Sequence, residues 1–423
     1  MDGYRPSLEQ HGPIILPGYD AQPMESGVLH SIQKLDKSAT QLLQWLPPGV
    51  ELKLFPCVIE DDSWGYRCRC TFQLVIDEDG IFHYAMRHQK QPVLIGADFF
   101  PIASSRIQIA MKAMLEKVLN ATDDFSYLKL HLTSATFSSA WHDRPESDCI
   151  ITLHYEQPSD SEGWIQQAKI VCRLLRLRQI YGRSRKIVLH GVDGSIQSIR
   201  DTVWIHTIVG SDGGVVWDAA LGLGEVPNAI PVYYDKPETA FYHPNSRVMI
   251  KALTWMLNRL EWIVRVDKHP CKLLEMYCGC GAHTVALAKT GLLEQIIAVE
   301  LDQRLVKACE VNVQLNNLQG IVEVTQGDAG QWAKRLQKNP TINFDIILVD
   351  PPRMGLDEHV CRMVCQQNFK HLIYVSCGHE ALIRDLERLS SNFLVIDCVQ
   401  IDLFPRTDSI ETLVHLERRI GEK

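Results

Sequence analysis

Two residues near the C-terminal end of the chain have side chains that could carry out covalent chemistry. Cys377 directly follows the apolar run Tyr374-Val375-Ser376, and Glu411 lies in an apolar segment downstream of Asp402-Leu403-Phe404-Pro405. A cysteine thiolate is a nucleophile, and a carboxylate can take a proton from a reacting carbon. The residue types alone also allow a buried structural cysteine and a carboxylate paired with Arg406.

A glycine-rich turn precedes these residues and indicates where a cofactor could bind. Residues 272–277 read as a short apolar strand, followed by Cys278-Gly279-Cys280-Gly281 and a helix that begins near Thr284. This is the strand, turn and helix of a nucleotide-binding βα unit. Thr284 stands where a dinucleotide fingerprint has its third glycine, which disfavours NAD.

Carboxylates follow the next predicted strands, where each strand ends. They are Glu300, Asp328 and Asp350, after strands at 296–299, 322–325 and 344–349. The carboxyl ends of parallel strands share one edge, so these residues predict a crevice across a doubly wound, mostly parallel sheet. Glu300 could accept hydrogen bonds from both hydroxyls of a ribose, although it could also cap a helix. Because no pyrophosphate cradle is evident, the pattern favours S-adenosylmethionine and a methyltransferase.

The first half of the chain has a different pattern. Residues 1–40 contain four prolines and no sustained period, which predicts an irregular tail. Residues 41–235 mix a hairpin around Asp77-Glu78-Asp79-Gly80, a helix at 107–119 and further strands at 127–132, 150–155, 187–190 and 203–208. This mixture predicts an α+β domain, followed by a second domain at 236–423 that opens with a helix at 245–262.

A basic run lies inside the α+β segment. No acidic residue interrupts the stretch from Gly163 to Val192, which contains Lys169, Arg173, Arg176, Arg178, Arg183, Arg185 and Lys186. Such a run is either a solvated helix face followed by a loop or a surface that contacts phosphates.

Composition limits the classes of protein that fit. The net charge of −8 argues against a protein that coats nucleic acid non-specifically, and no apolar run reaches the length of a membrane helix. The 13 cysteines do not form two CxxC pairs, which predicts free thiols and no metal site. We therefore expect an intracellular protein, with the cytoplasm favoured and a nuclear or organellar address also allowed.

Four motifs in order carry a family resemblance. The sequence is similar to the RNA uracil-5-methyltransferases of the tRNA (uracil-5-)-methyltransferase type at Tyr277-Cys278-Gly279, at 350–357 (Asp-Pro-Pro-Arg-Met-Gly-Leu-Asp), at 374–377 and at Phe404-Pro405-Arg406-Thr407. Upstream, residues 64–67 resemble the start of the family's central RNA-recognition domain, and residues 241–245 resemble the entry to its catalytic domain.

The resemblance implies a Rossmann-like S-adenosylmethionine domain, an RNA substrate, and an attack by Cys377 on carbon 6 of a uracil with Glu411 as the general base. The favoured RNA is tRNA and the favoured target its T-loop uridine. Neither a metal nor an iron–sulfur cluster is expected, because Cys57, Cys68 and Cys70 lack the spacing of cluster ligands.

The residues implied to hold the methyl donor are His243, Tyr277, Gly279, Gly281, Glu300, Asp328 and Asp350. Those implied to contact RNA are Tyr66, Arg67, Arg173, Arg176, Arg183, Arg185 and Arg353.

Some positions depart from the family's pattern. The family usually has Gln where this chain has His243, and Asn where it has Ala282 and Gly378. Two other functions stay open. An RNA cytosine-5-methyltransferase usually has a second cysteine where this chain has Arg353, and a non-catalytic RNA-binding or RNA-folding protein could keep the fold without binding the donor.

Overall fold

The computed structural model describes residues 26–88, 91–95, 100–121, 125–157, 161–185, 187–192, 198–209, 214–222, 228–238, 240–338 and 343–419. The strands are β1 (Leu52–Phe55), β2 (Arg69–Ile76), β3 (Phe82–His88), β4 (Gln91–Ile95), β5 (Leu132–Ser139), β6 (Cys149–Tyr155), β7 (Gln179–Arg183), β8 (Val188–His190), β9 (Ile199–Val209), β10 (Val215–Leu221), β11 (Ile230–Lys236), β12 (Cys271–Met276), β13 (Leu293–Glu300), β14 (Val322–Gln326), β15 (Ile346–Val349), β16 (His371–Ser376), β17 (Phe393–Asp402) and β18 (Ile410–Arg418).

The α-helices are α1 (Gly27–Leu42), α2 (Ser105–Met114), α3 (Ser126–Lys129), α4 (Ser161–Leu174), α5 (Ser246–Asp267), α6 (Ala282–Lys289), α7 (Gln303–Leu315), α8 (Ala329–Lys338), α9 (Glu358–Gln366) and α10 (His379–Leu389). Short 3₁₀ segments cover Leu43–Trp45 and Glu60–Ser63, and a π-helical turn at Leu115–Leu119 extends α2. None of the helices in the described ranges combines the length and hydropathy that a membrane crossing requires.

The C-terminal half forms an eight-stranded sheet in the order β1-β17-β18-β16-β15-β12-β13-β14. Strand β18 runs antiparallel to both of its neighbours, and the other adjacent pairs are parallel. Apolar residues of α5, α6 and α7 pack on one face, and those of α8, α9 and α10 pack on the other. The predicted doubly wound, mostly parallel sheet is confirmed.

The central part of the chain forms a seven-stranded sheet in the order β4-β3-β2-β5-β6-β7-β8, and α2 and α4 contribute to its buried core. The predicted hairpin is present as β2 and β3, which pair antiparallel around residues 77–81. The predicted strand at 127–132 is wrong, because α3 lies there. Helix α3 covers Ser126–Lys129, and β5 begins only at Leu132, after His131 with a positive φ of 58°.

A third sheet links the two halves. Strands β10, β9 and β11 form an antiparallel sheet whose buried side chains share one apolar core with α5, α6 and α7. Polar bonds reinforce this packing: Trp217 N–H donates to Asn258 Oδ1 at 2.9 Å, and Tyr233 N–H donates to Asn316 Oδ1 at 2.9 Å. These contacts join residues on opposite sides of the domain boundary that was predicted between residues 235 and 236.

The beginning of the described chain belongs to the C-terminal sheet. The prediction of an irregular tail up to residue 40 is wrong from Gly27 onward, because α1 starts there with Ser26 as its N-cap, and residues 1–25 lie outside the described ranges. Strand β1 pairs parallel with β17, so residues 52–55 join the sheet formed by the last third of the chain. Prolines before residue 24 suggested irregular structure, whereas the helix begins after them.

Strand β12 carries a buried carboxyl group that the sequence analysis did not select. Glu275 is 1% exposed and accepts a hydrogen bond from Thr284 Oγ1 at 2.6 Å. Burial raises the pKa of Glu275 to about 8, and the negative charge of Asp350 acts in the same direction. An acidic residue inside an otherwise apolar strand was the feature of the sequence that could have revealed it.

We expect Glu275→Gln to flatten the pH dependence of stability. The pKa of Glu275 is higher in the folded state than in the unfolded state, so wild-type stability should fall as pH rises from about 4.5 to about 8. At about pH 8 the variant should exceed the wild type by roughly 4 kcal/mol, and near pH 5 the difference should be less than about 1 kcal/mol. Urea unfolding at both pH values measures this. Glu323→Gln, at an exposed position on β14, is the control, and equal pH slopes in all three proteins would contradict the prediction.

Candidate active site

The glycine turn after β12 has a backbone that favours small residues. Gly279 and Gly281 have φ angles of 58° and 80°, in the left-handed region. A Cβ atom at Gly281 would lie 2.6 Å from the sulfur of Cys309, so the close packing of α7 also requires glycine there. Tyr277 enters the turn with a φ of 64°, which is uncommon for an aromatic residue.

Glu300 is held beside this turn at the carboxyl end of β13. One carboxylate oxygen accepts from Gly279 N–H at 3.0 Å, and the other accepts from the N–H groups of Leu301 and Asp302 at 2.8 and 2.9 Å. A carboxylate offers about four acceptor sites, so the oxygen that accepts only from Gly279 keeps capacity for one hydroxyl of a ribose. The fixed carboxylate and the open glycine turn fit the nucleoside of S-adenosylmethionine.

Two further carboxylates line the same edge. Asp328 accepts from Gln331 N–H at 2.9 Å at the start of α8, and Asp357 caps α9 by accepting from His359 N–H at 2.8 Å. Burial raises the pKa of the Tyr277 phenol, and the charges of Asp357 and Asp328 act in the same direction. Asp357 is the last residue of the motif at 350–357, and the sequence did not predict that it lies near the donor site.

The register of the sheet brings the two reactive side chains together. Ser376 at the end of β16 pairs with Thr412 of β18, so Cys377, directly after Ser376, and Glu411, directly before Thr412, lie at the same end of this strand pair. Because β18 is antiparallel to β16, the start of β18 lies at the edge where β16 ends. Asp350 follows β15 at the same edge, one strand away.

The ionisable groups at this edge perturb each other. Burial raises the pKa of Asp350 to about 7. Burial also raises the pKa of Glu411, and the charge of Asp350 increases that shift while Arg353 opposes it. The thiol of Cys377 has its pKa raised by burial and then by Glu411 and Asp350, and Arg353 again acts in the opposite direction. The arrangement therefore combines a nucleophile, two carboxyl groups and one nearby guanidinium.

Gly378 lies against the loop that carries Arg353. A Cβ atom at Gly378 would collide with the backbone carbonyl oxygen of Arg353, so the absence of a side chain lets the two loops touch. Arg353 itself is exposed. The close approach explains physically why this chain has glycine at the position directly after Cys377.

His243 and Ala282 were the other two departures from the family's pattern. The Nδ1 atom of His243 lies 2.8 Å from the carbonyl oxygen of Asn245, and its ring stacks on Phe404. Burial lowers the pKa of His243 to about 4, so the ring is neutral at pH 7. Ala282 is the first residue of α6, and its carbonyl oxygen accepts from Tyr234 Oη at 2.8 Å.

One group of possible metal ligands lies at the opposite, amino-terminal edge of the sheet. Ligand atoms of His269, Cys271 and Asp345 lie within 4.8 Å of one another. Local hydrogen bonds already engage two of these side chains, since His269 Nδ1 contacts the Pro270 carbonyl oxygen and Asp345 accepts from Lys272 N–H. That no metal is needed stays a prediction.

Of the residues predicted to contact RNA, Tyr66 requires a correction. It is 3% exposed, its hydroxyl donates to the Pro405 carbonyl oxygen at 2.9 Å, and its ring stacks on Phe404. Tyr66 therefore supports the loop before Glu411 rather than offering a surface to RNA. The guanidinium of Arg67 lies over the same Phe404 ring, 5.1 Å from its centroid.

The basic run is divided between exposed and engaged side chains. Arg173 lies in the last turn of α4, Arg176 and Arg185 follow the helix, and all three side chains are exposed. Arg183, in contrast, donates to both carboxylate oxygens of Glu238, with distances between 2.6 and 3.1 Å. The fold thus leaves Arg183 in a structural ion pair and the other three on the surface.

Solved structures show the same fold. The crystal structure of Pyrococcus abyssi tRNA (uracil-54, C5)-methyltransferase in complex with S-adenosyl-L-homocysteine aligns with a TM-score of 0.59 and 19% sequence identity, covering 93% of this chain and 86% of that one. At this identity the likeness concerns the fold.

Sequence comparisons cover nearly the whole chain. The tRNA/tmRNA (uracil-C(5))-methyltransferase of Chromohalobacter salexigens is 29% identical over 404 residues, or 91% of this chain and 94% of the relative. The protein of the same name from Sulfurovum sp. (strain NBC37-1) is 27% identical over 398 residues, which cover 92% of this chain and 94% of the relative.

The family model described as tRNA (Uracil-5-)-methyltransferase matches residues 32–195 and 228–419. These ranges include the reactive pair, the glycine turn and the basic run. The predicted family, its RNA-modifying enzyme class and its methyl donor S-adenosylmethionine are thereby confirmed, and the chain belongs to the tRNA (uracil-5-)-methyltransferase family.

Proposed function

We propose that this protein transfers a methyl group from S-adenosylmethionine to carbon 5 of a uridine in tRNA, with the T-loop uridine as the favoured target. The observation that carries the proposal is the register of β16 and β18, which places Cys377 and Glu411 at the edge that also bears the glycine turn. The names of the relatives support tRNA as the substrate.

The donor site consists of residues at the carboxyl ends of β12, β13 and β14. Glu300 would accept hydrogen bonds from the ribose, while Asp328 and Tyr277 would border the adenine and Gly279 would let the backbone approach it. When bound, the donor supplies a methyl group on a positively charged sulfur. Asp350 would face that positive charge. Because burial raises the pKa of Asp350 to about 7, a positive partner would favour its charged, carboxylate form.

Carbon 5 of uracil is too weak a nucleophile to take the methyl group directly. The thiolate of Cys377 would add to carbon 6, which converts the ring to an enolate with a nucleophilic carbon 5. After methylation, Glu411 would remove the proton from carbon 5, and the thiolate would leave as the ring double bond re-forms. Arg353 would stabilise the negative charge of the enolate oxygen or bind a phosphate.

A stacked base cannot reach this buried edge. The target nucleotide must therefore leave its stack, and the rest of the RNA needs a surface that holds it meanwhile. Arg173, Arg176 and Arg185 are exposed on the central domain and would contact phosphates there.

Cys377→Ala should abolish methyl transfer without unfolding the protein. Removal of the nucleophile leaves no route to the enolate, so the rate should fall by about 10⁴-fold or more. Incorporation of radioactive methyl from S-adenosylmethionine into tRNA measures it. Cys365→Ala, at another partly buried thiol, should keep full activity, and a labelled product from Cys377→Ala would contradict the assignment.

Glu411→Gln should separate the two halves of the reaction. Without the base, methyl transfer can proceed but the proton on carbon 5 stays, so a covalent protein–RNA adduct should accumulate while product release falls by about 10²- to 10⁴-fold. A denaturing gel with labelled tRNA detects the adduct. Glu417→Gln, on the same strand, should show none, and wild-type turnover in Glu411→Gln would remove this residue from the mechanism.

The relative affinity for the charged donor should rise with pH. Asp350 has a pKa of about 7, so between about pH 6 and pH 8 it becomes a carboxylate that favours the positive sulfonium but not the neutral sulfur of S-adenosylhomocysteine. The facing groups Glu411, Cys377 and Arg353 modulate this titration. Calorimetry should show the affinity ratio of the two ligands increasing by about 3- to 10-fold. A ratio that stays flat, or one that still rises in Asp350→Asn, would contradict the role of Asp350.

A further inference from the structure

A buried lysine of α1 contacts the loop that leads into Glu411. This loop, residues 403–409, joins β17 to β18, and Glu411 is the second residue of β18. Lys34 is 7% exposed, and its Nζ atom donates to the carbonyl oxygens of Phe404, Thr407 and Ser409 at 3.0, 2.5 and 3.1 Å. Asp402 Oδ1 lies 2.6 Å from the same nitrogen.

The chemistry of these contacts is specific to an ammonium group. The three carbonyl groups belong to the loop between two strands, and buried backbone groups without a partner are costly. The Phe404 carbonyl also accepts from the N–H and Oγ1 of Thr407 within the loop, so Lys34 is an additional donor to it. An ammonium carries three donors and no acceptor, so it can bond several carbonyls from one point, and Asp402 balances its charge. A neutral apolar side chain of similar length would leave the loop carbonyls and Asp402 without this partner.

The same helix also holds the segment that follows Cys377. One turn after Lys34, Ser38 Oγ lies 3.0 Å from His379 Nδ1, and Gln41 Oε1 lies 2.7 Å from His379 Nε2. Ser38 also accepts from Gln400 Nε2 at 2.8 Å, on the strand before the 403–409 loop. Helix α1 therefore contacts the chain two residues after the nucleophile and two residues before the base.

Other contacts position the 403–409 loop from its far side. Asn245 Nδ2 donates to the Leu403 carbonyl oxygen at 2.9 Å, and the guanidinium of Arg406 stacks on Trp64 with a distance of 3.7 Å to the ring centroid. These contacts flank the loop, whereas Lys34 bonds three of its seven residues from a single side chain. Loss of Lys34 would loosen the segment directly preceding Glu411, while the contacts of Asn245 and Tyr66 with the start of the loop would remain.

We propose that Lys34 is a positioning residue for the second half of the reaction: it fixes the 403–409 loop so that Glu411 meets the proton on carbon 5. This inference rests on the proposed function. Cys377 lies at the end of a different strand and would keep its own geometry, so the loss of Lys34 should impair elimination more than addition.

The test compares Lys34→Met, Glu411→Gln and Lys37→Met with the wild type, where Lys37 is an exposed lysine of the same helix. Each protein is mixed with tRNA transcript and S-adenosylmethionine. The amount of covalent adduct on a denaturing gel and the rate of release of methylated tRNA are both measured. For Lys34→Met we expect release to fall by about tenfold or more while the rate of adduct formation changes less than about threefold, as a positioning role in proton removal requires.

A second variant separates positioning from stability. Lys34→Met alone leaves Asp402 buried without its partner, which lowers stability. The double variant Lys34→Met with Asp402→Asn removes that charge and should recover much of the melting temperature, but it still lacks the donors to the three carbonyls. It should therefore keep the raised ratio of adduct to product.

The outcomes are distinct. Equal losses in addition and release, or a wild-type ratio in the double variant, would overturn the role of Lys34 while Glu411→Gln still traps its adduct. A wild type that forms neither adduct nor product on tRNA would overturn the proposed function, and the inference about Lys34 with it.

Discussion

The electrostatics of the site depend on three acidic groups that lie close together in a poorly solvated part of the sheet edge. Asp350, Glu411 and the thiol of Cys377 lie at one edge of the sheet, and the pKa of each is raised by burial. The charge of Asp350 raises the pKa of Glu411 further, and the charges of Glu411 and Asp350 raise that of Cys377. Ionisation of all three together is unfavourable, because like charges in a poorly solvated site repel strongly. The three groups therefore titrate as a coupled set rather than independently. Such a site suits a reaction that needs a thiolate first and a carboxylate base later.

The antiparallel strand β18 makes this crowding possible. In a fully parallel sheet, residues at a strand's beginning lie at the edge opposite the ligand crevice. Reversal of β18 brings its first residues to the crevice, so Glu411 joins Cys377, which follows the end of β16. The loop at 403–409 that connects β17 to β18 therefore lies at the crevice, next to Glu411 and Cys377. In the proposed mechanism, rigidity of that loop serves the chemistry as well as the fold.

Much of this could be predicted from the sequence, and what was missed has physical causes. Residues that end buried parallel strands, such as Glu300 and Asp350, follow apolar runs and are visible as a pattern. Tyr66 was predicted to contact RNA because an aromatic residue beside an arginine gives the same sequence signal whether its ring stacks on a base or on Phe404. Glu275 was missed because one acidic residue does not disturb the apolar period of a strand. The pairing of β1 with β17 joins residues more than 300 positions apart, which no local pattern reveals.

Helix α1 shows the same limit most clearly. Its sequence, from Gln33 to Lys37, reads as a polar helical surface or a tail, because a charged residue is normally solvated. Lys34 is buried because Asp402 balances its charge and the backbone of the 403–409 loop offers carbonyl oxygens to its donors. Most of its hydrogen-bond partners are thus backbone atoms, which carry no side-chain identity and leave no trace in sequence composition, and Asp402 is distant in sequence. A lysine held by three carbonyls is then better understood as part of the loop's hydrogen bonding than as a surface charge.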